Sequence, residues 1–176
     1  LCERAVYQYD FTNEVPKPSG NFHPFIAPFG IFPTIDGSIA LAVVENHFWI
    51  ELVTRLGKPE FIDQEKFKTV KSRRDNLHLV NSTVSKWTSK YSKAELSNLL
   101  GGHVPFGPVN NIKEILERIN NIKIIHKEII VINDHSSDGT KKILENDCNK
   151  LYTKLINNQK NMGKGFSCRE GIKHIN

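Results

Sequence analysis

The sequence predicts an α/β chain, with mixed helices and short strands in its front segment followed by a partial Rossmann-like β-α-β-α unit. Three observations carry this. Apolar runs flank a turn at Asp36-Gly37, apolar residues recur at helical spacing from Glu45 to Leu100, and Ile129 to Ile132 leads through a polar turn into a further helical stretch. The 176 residues are 39% hydrophobic and 24% charged, which is the composition of a globular chain with a real core, sized for one ordinary domain or two small ones.

Residues 12–37 hold Pro16, Pro18, Pro24, Pro28 and Pro33 with Gly20, Gly30 and Gly37, a density that forbids long helices and reads as extended chain and turns. Phe22, Phe25, Phe29 and Phe32 mark it as ordered, because flexible linkers seldom carry so many large apolar groups. Gly30–Thr34 and Ser38–Val44 then form a hairpin. Phe48, Trp49, Leu52, Val53 and Leu56 define one face of a helix that Gly57-Lys58-Pro59 stops. A second helix is predicted over roughly Arg73–Lys90, with Leu77, Val80, Val84 and Trp87 on one face. A third runs from Ser92, which with Glu95 makes a capping box, to Leu100 before Gly101-Gly102. His103 to Pro108 is rigid and extended, and Asn111 caps a short helix through Leu116.

Past a join at about 117–126, Glu128–Ile132 reads as a buried strand of the parallel type, followed by a helix from Asp138. A strand near Leu151–Ile156, a loop from Asn157 to Gly165 and a helix to Ile175 complete the order, and no internal repeat links the halves.

The longest apolar runs are too short to span a bilayer, and Leu1 opens no charged-then-apolar signal segment, so a cytoplasmic location is expected. Cys2, Cys148 and Cys168 are odd in number and lack metal-ligand spacing, which reads as reduced bystander thiols and no metal site. Residues 1–118 hold 14 Lys and Arg against 13 Asp and Glu, while residues 119–176 hold 10 against 6, so the basic excess lies in the tail. Its lysines are scattered without interleaved aromatics; a solvated face or a polyanionic small ligand accounts for them, and nucleic acid is not an expected partner.

Gly20-Asn21-Phe22-His23-Pro24, Ala27-Pro28-Phe29-Gly30, Asp36-Gly37, Phe48-Trp49, Leu56-Gly57, Phe67 with Arg73 and Asn76, and Val104 to Val109 form an ordered series. In that order and spacing it resembles the family III CoA-transferases of the CaiB/BaiF type, over most of residues 1–118 and within that family's smaller domain. The resemblance implies a CoA thioester ligand and CoA exchange between an acyl-CoA and a carboxylic acid, through an aspartate that attacks the acyl carbonyl. That aspartate belongs to the family's larger domain, and Asp10, Asp36, Asp63 and Asp75 stand in other contexts, so no catalytic residue is assigned. The segment is expected to be inactive alone unless a homo-oligomer or a missing-domain partner completes it. Gly20, Asn21 and His23 mark the CoA- or substrate-facing loop: glycine permits close backbone approach, and Asn21 or His23 can donate a hydrogen bond. His23 also reads as a histidine packed against its own proline-flanked loop. Trp49 and Trp87 read as adenine platforms or as core anchors, the core reading being favoured by their aliphatic neighbours in register. Arg73-Arg74 reads as a CoA-phosphate contact or as surface charge with one member salt-bridged.

Lys127 to Thr140, Asn161-Met-Gly-Lys-Gly165, Arg169 and Gly171-Ile172 resemble the opening of a family 2, GT-A-type glycosyltransferase of the polyprenyl-phosphate sugar transferase branch. This implies a nucleotide-sugar ligand, with Asn133 and Asp134 at the carboxyl edge of a parallel sheet, Ser136 and Asp138 capping the next helix, and Lys164 offsetting diphosphate charge. The same strand, cap and helix order occurs in many α/β proteins without sugar chemistry. The usual first strand is replaced by front-segment sequence, and the acidic metal motif and base would lie past Asn176, so this part too is expected not to catalyse. The domain reading is a CoA-transferase fragment at 1–118, a junction at 119–126 and a glycosyltransferase fragment at 127–176, in a truncated or mis-joined frame. By coverage the function is CoA transfer; the alternatives are a nucleotide-sugar transferase and a non-catalytic interaction module. Exposed apolar surface, with aggregation or partner-dependent folding, is expected wherever each piece lacks its neighbour.

Overall fold

The computed structural model describes residues 3–18, 20–123 and 126–175. Leu1, the Cys2 thiol and part of the 119–126 junction lie outside them. The chain divides into two compact units, Leu1–Val109 and Asn110–Asn176.

In the first unit, β1 (Phe29–Thr34) and β2 (Gly37–Ala42) form the predicted antiparallel hairpin, with Thr34 opposite Gly37 and Phe32 opposite Ile39. The extended stretch after His103 supplies β3 (Phe106–Val109), which joins the free edge of β2 with Leu41 opposite Phe106. Phe32, Ile39 and Leu41 on one face are buried against α2 (Asn46–Arg55), α4 (Leu77–Thr88) and α5 (Lys93–Leu100) through Trp49, Leu52, Val53, Val80, Val84, Leu96 and Leu100. The Ser92–Glu95 capping box is formed at the start of α5. Asp36 ties the hairpin to that helix: its Oδ1 accepts from Lys93 N at 2.8 Å and from Thr34 Oγ1 at 3.0 Å, which holds its carboxyl below the usual range, the Lys93 bond first. A helix not anticipated from sequence, α1 (Glu3–Thr12), precedes these and leaves Val6, Tyr7 and Phe11 exposed.

The single helix predicted over Arg73–Lys90 is two, α3 (Val70–Asp75) and α4, broken at Asn76 with φ −125° and ψ 34°. The Asn76 side chain donates to Ser72 O at 2.8 Å, so a polar side chain competes for a helical carbonyl at the break. The Arg73-Arg74 reading is also corrected. Arg74 is exposed and lies 3.5 Å from Asp75, but Arg73 is 1% exposed. Its Nε donates to Ala27 O at 3.2 Å and its Nη1 to Phe67 O at 2.9 Å, while the guanidinium sits 5.3 Å from the Trp49 ring centroid. Burial pushes its pKa down to about 10, so it stays charged at neutral pH, and Nη2 is enclosed without a partner.

In the second unit, α6 (Ile112–Asn120) is capped by an Asn111–Glu114 box and extends one turn past the predicted Leu116. Leu116 packs with Leu144 and Cys148 around α7 (Thr140–Asn146). β4 (Ile130–Asn133) and β5 (Lys154–Asn157) pair in parallel, and α8 (Lys164–Ile172) packs on β4. The β-α-β-α order follows the sequence reading, with three corrections of detail. β4 is half-buried except at Asn133, because among the described residues its sheet has two strands. α7 begins at Thr140, with Gly139 at φ +86° before it and Asp138 Oδ1 accepting from Thr140 N at 3.1 Å. Ser136 caps no helix; its N–H donates to Asn133 Oδ1 at 3.1 Å. Packing divides the chain after Val109, so α6 lies in the second unit although all but its last two residues fall within 1–118. Cys148 is a free, buried thiol pushed up by desolvation, and Cys168 is free and exposed.

Replacing Arg73 with Ala leaves two enclosed carbonyls without their donor, and a loss of about 3 kcal/mol is expected in urea unfolding followed by circular dichroism. Arg74→Ala is expected to change stability by no more than about 0.5 kcal/mol.

Candidate functional site

The loop carrying Gly20, Asn21 and His23 is laid against β1 by its backbone. Ile31 N donates to Asn21 O at 3.1 Å, His23 N donates to Phe29 O at 2.9 Å, and Phe22 bridges Gly30. Gly30 makes this possible: at φ +155°, a Cβ there would lie 2.3 Å from Asn21 O and 2.6 Å from Phe22 Cδ1. Gly20 has φ +70° and open space where a Cβ would project. Asn21 is exposed at the rim of a shallow apolar groove of about 400 Å³ floored by Ala40, Ala42 and Gly107. The His23 ring stacks on Phe29 at 5.0 Å between centroids, and its Nδ1 accepts from Phe25 N at 3.2 Å, so it is packed by its own loop as well as placed beside Asn21.

On the other side of His23, a second cleft of about 300 Å³ opens toward α4, with Phe22, Pro24, Leu77, His78, Asn81 and Ser85 in its walls. Asn81 is 6% exposed, and its Oδ1 is enclosed without a donor, an arrangement that costs about 1–3 kcal/mol. Trp49 and Trp87 are core anchors, 1% and 8% exposed, stacked among Phe61 and Phe67. They offer no open face for a base.

In the second unit two of the side chains singled out from sequence, Asn133 and Asp134, are engaged with partners from β5 and the loop after it. Asn133 donates through Nδ2 to Asn157 Oδ1 at 2.9 Å, across the parallel strands. Asp134 accepts from Asn158 Nδ2 at 2.7 Å, Met162 N at 2.9 Å and Gly163 N at 2.7 Å, and the first of these bonds contributes most to holding its carboxyl below the usual range. It thereby fastens the β5–α8 loop to the end of β4. Asp134 and Lys164 also line one groove of about 730 Å³ with Ile130, Ile132, Cys168 and Ile172. Sequence reasoning missed Asn81 and Asn158, for which it held no signal, and the packing role of Gly30, which it held only as a member of a proline- and glycine-rich stretch and of the Ala27-Pro28-Phe29-Gly30 motif. Among the described residues no cluster of His, Cys, Asp and Glu can hold a metal ion, and no helix is long and apolar enough to cross a membrane.

Comparison with known proteins places this geometry. The family model described as CoA-transferase family III matches residues 1–149. A succinyl-CoA:mesaconate CoA-transferase of Haloarcula marismortui is 32% identical over 117 residues, 66% of this chain and 29% of that protein. A human succinyl-CoA:glutarate CoA-transferase is 27% identical over 124 residues, 70% of this chain and 28% of that protein. The crystal structure of a CAIB/BAIF family protein from Brucella suis superposes with a TM-score of 0.59 at 26% identity, covering 70% of this chain and 34% of that one. The fold is thus that of a mixed α/β part of a transferase. The chain belongs to the CoA-transferase family III. It spans less than a third of the length of these two curated relatives, and its family match runs through β4 and α7.

Gly30→Ala is expected to push the Asn21–His23 loop off β1 and to cost about 2 kcal/mol, seen as lost amide protection at Ile31 and His23. For Asp134 the sign follows from a folded pKa below the unfolded one: its stabilisation is complete above the unfolded value near 3.8 and is lost as pH falls through the folded value. Amide protection at Met162 and Gly163 should therefore hold at pH 6 and fall at lower pH, and Asp134→Ala should remove it at both.

Proposed function

We propose that this chain is the smaller-domain part of an acyl-CoA:carboxylate CoA-transferase, with Gly20, Asn21 and His23 facing a CoA thioester and the acid that receives CoA. The observation that carries this reading is the loop held on β1 by Gly30, in a chain whose family match covers that loop. CoA exchange needs a cleft between domains, rigid backbone walls and donors near the reacting carbonyl. Open space over Gly20 and the exposed Asn21 amide supply such a wall. The attacking carboxylate is assigned elsewhere: Asp36 is committed to Lys93 and Thr34, and Asp134 to its own loop. Exchange then requires the family's larger domain to face this loop, in the cytoplasm where CoA esters are handled. The relatives' acids, mesaconate and glutarate, favour a dicarboxylate as the acid here.

A nucleotide-sugar ligand for residues 127–176, with the junction at 119–126 as an ancestral boundary, is the second reading. It is favoured by Asp134 and Lys164 lining one groove at the carboxyl end of a parallel strand pair. It ranks second because both Asp134 oxygens already accept bonds from the β5–α8 loop.

Titration of the chain with CoA, followed by amide chemical shifts, should give saturable changes at residues 20–23. Asn21→Ala should weaken binding about fivefold, the worth of one hydrogen bond of about 1 kcal/mol. Absence of those changes removes the CoA reading; changes at Asp134 and Lys164 on adding a nucleotide sugar raise the second.

A further inference from the structure

We propose that the cleft between the Phe22–Pro24 loop and α4 is a carboxylate subsite built around the Asn81 carboxamide. It rests on the CoA-exchange reading for the acid that it takes, one end of a dicarboxylate.

Four features of the cleft select that ligand. First, Asn81 is 6% exposed and lines the cleft; its Oδ1 is the enclosed atom, and its Nδ2, the donor that a carboxylate can use, bonds no other described residue. Second, His78 and Ser85 stand three residues before and four after Asn81, which puts all three on one face of α4, and neither side chain is hydrogen-bonded within the described residues. Ser82 does not count, since its hydroxyl donates to Leu79 O at 3.0 Å. Third, an imidazole N–H, a hydroxyl and the Asn81 Nδ2 are all donors, and no Asp or Glu lines the cleft. A carboxylate is acceptor-only and fits that set. No Lys or Arg lines it either, which disfavours a doubly charged phosphate, an anion that proteins commonly meet with those side chains. Fourth, Phe22, Pro24 and Leu77 form an apolar wall for a methylene spacer, and His23 is shared with the Gly20–His23 loop. A volume of about 300 Å³ suits a small acid. A dicarboxylate seated by one end on α4 would present its other carboxyl toward the loop where CoA exchange is proposed.

The test is an amide and side-chain NMR titration of the whole chain with glutarate, glutaramide and inorganic phosphate in separate arms. Glutarate is expected to give saturable shifts at His78, Asn81 and Ser85, with the neutral diamide and phosphate at least about tenfold weaker. Asn81→Leu should weaken glutarate about tenfold; should that variant fail to fold, Ser85→Ala and His78→Ala, at half-buried and exposed positions, should each weaken it about threefold. Equal binding of the diamide, tighter binding of phosphate, or shifts confined to surface lysines each overturns the subsite. CoA shifts at residues 20–23 without glutarate shifts on α4 remove the subsite and leave the CoA reading. Glutarate shifts on α4 with no response to CoA do the reverse.

Discussion

The Arg73 guanidinium holds three separate stretches of the first unit in one place. From α3 it reaches Ala27 O in the proline-rich loop and Phe67 O in the turn before the helix, and it covers the Trp49 ring of α2. Each stretch positions something else. Ala27 leads to Pro28, whose carbonyl accepts from Val43 N at 2.9 Å, and Phe29 anchors the His23 backbone. Trp49 gathers Phe61, Phe67 and Trp87 into one aromatic cluster. A charge in that setting is stabilised by carbonyl dipoles and a ring face and by no carboxylate among the described residues, which makes it geometrically demanding: the carbonyls must stay where they are or the ion is left bare.

What the sequence disclosed and what it hid divide along the distance between partners. The hairpin at Asp36-Gly37, the capping box at Ser92–Glu95 and the Asn111 cap involve residues within a few positions of each other, and their chemistry is visible in the letters, although the Glu114 half of the second box comes only from the structure. The break at Asn76 was hidden because Leu77, Val80 and Val84 keep helical spacing on its far side. Arg73 was misread because its acceptor Ala27 lies 46 residues away, and an arginine next to another arginine looks like surface. Asp134 was recognised as special, but Asn158, Met162 and Gly163 stand 24 to 29 residues further on and no local pattern links them. For the candidate site, Gly20, Asn21 and His23 are proposed from an ordered series of short motifs that also holds Gly30, while the close approach at Gly30 and the enclosed Asn81 amide show only in what the fold places beside them.

The two units differ in how their cores are built. The first surrounds one buried sheet face with three helices and a large aromatic cluster. The second has a small nucleus of Leu116, Leu144 and Cys148 beneath a two-stranded sheet, and its polar side chains do much of the ordering: Asn133 bonds Asn157, and Asp134 bonds the loop into α8. Gly171 belongs to this economy of space, since a Cβ there would come within 3.0 Å of Ile132 Cδ1 and α8 would have to stand off from β4.

The pairing of β2 with β3 carries a consequence for synthesis on the ribosome. Leu41 meets Phe106 and Ser38 meets Val109, across a span in which α2, α3, α4 and α5 must all be accommodated. The hairpin and the helices can take shape as they emerge, but the sheet edge stays open until Val109 has cleared the exit tunnel. For that interval β2, paired with β1 along one edge, keeps its other edge open at Ser38 to Leu41, the period of greatest exposure to wrong partners.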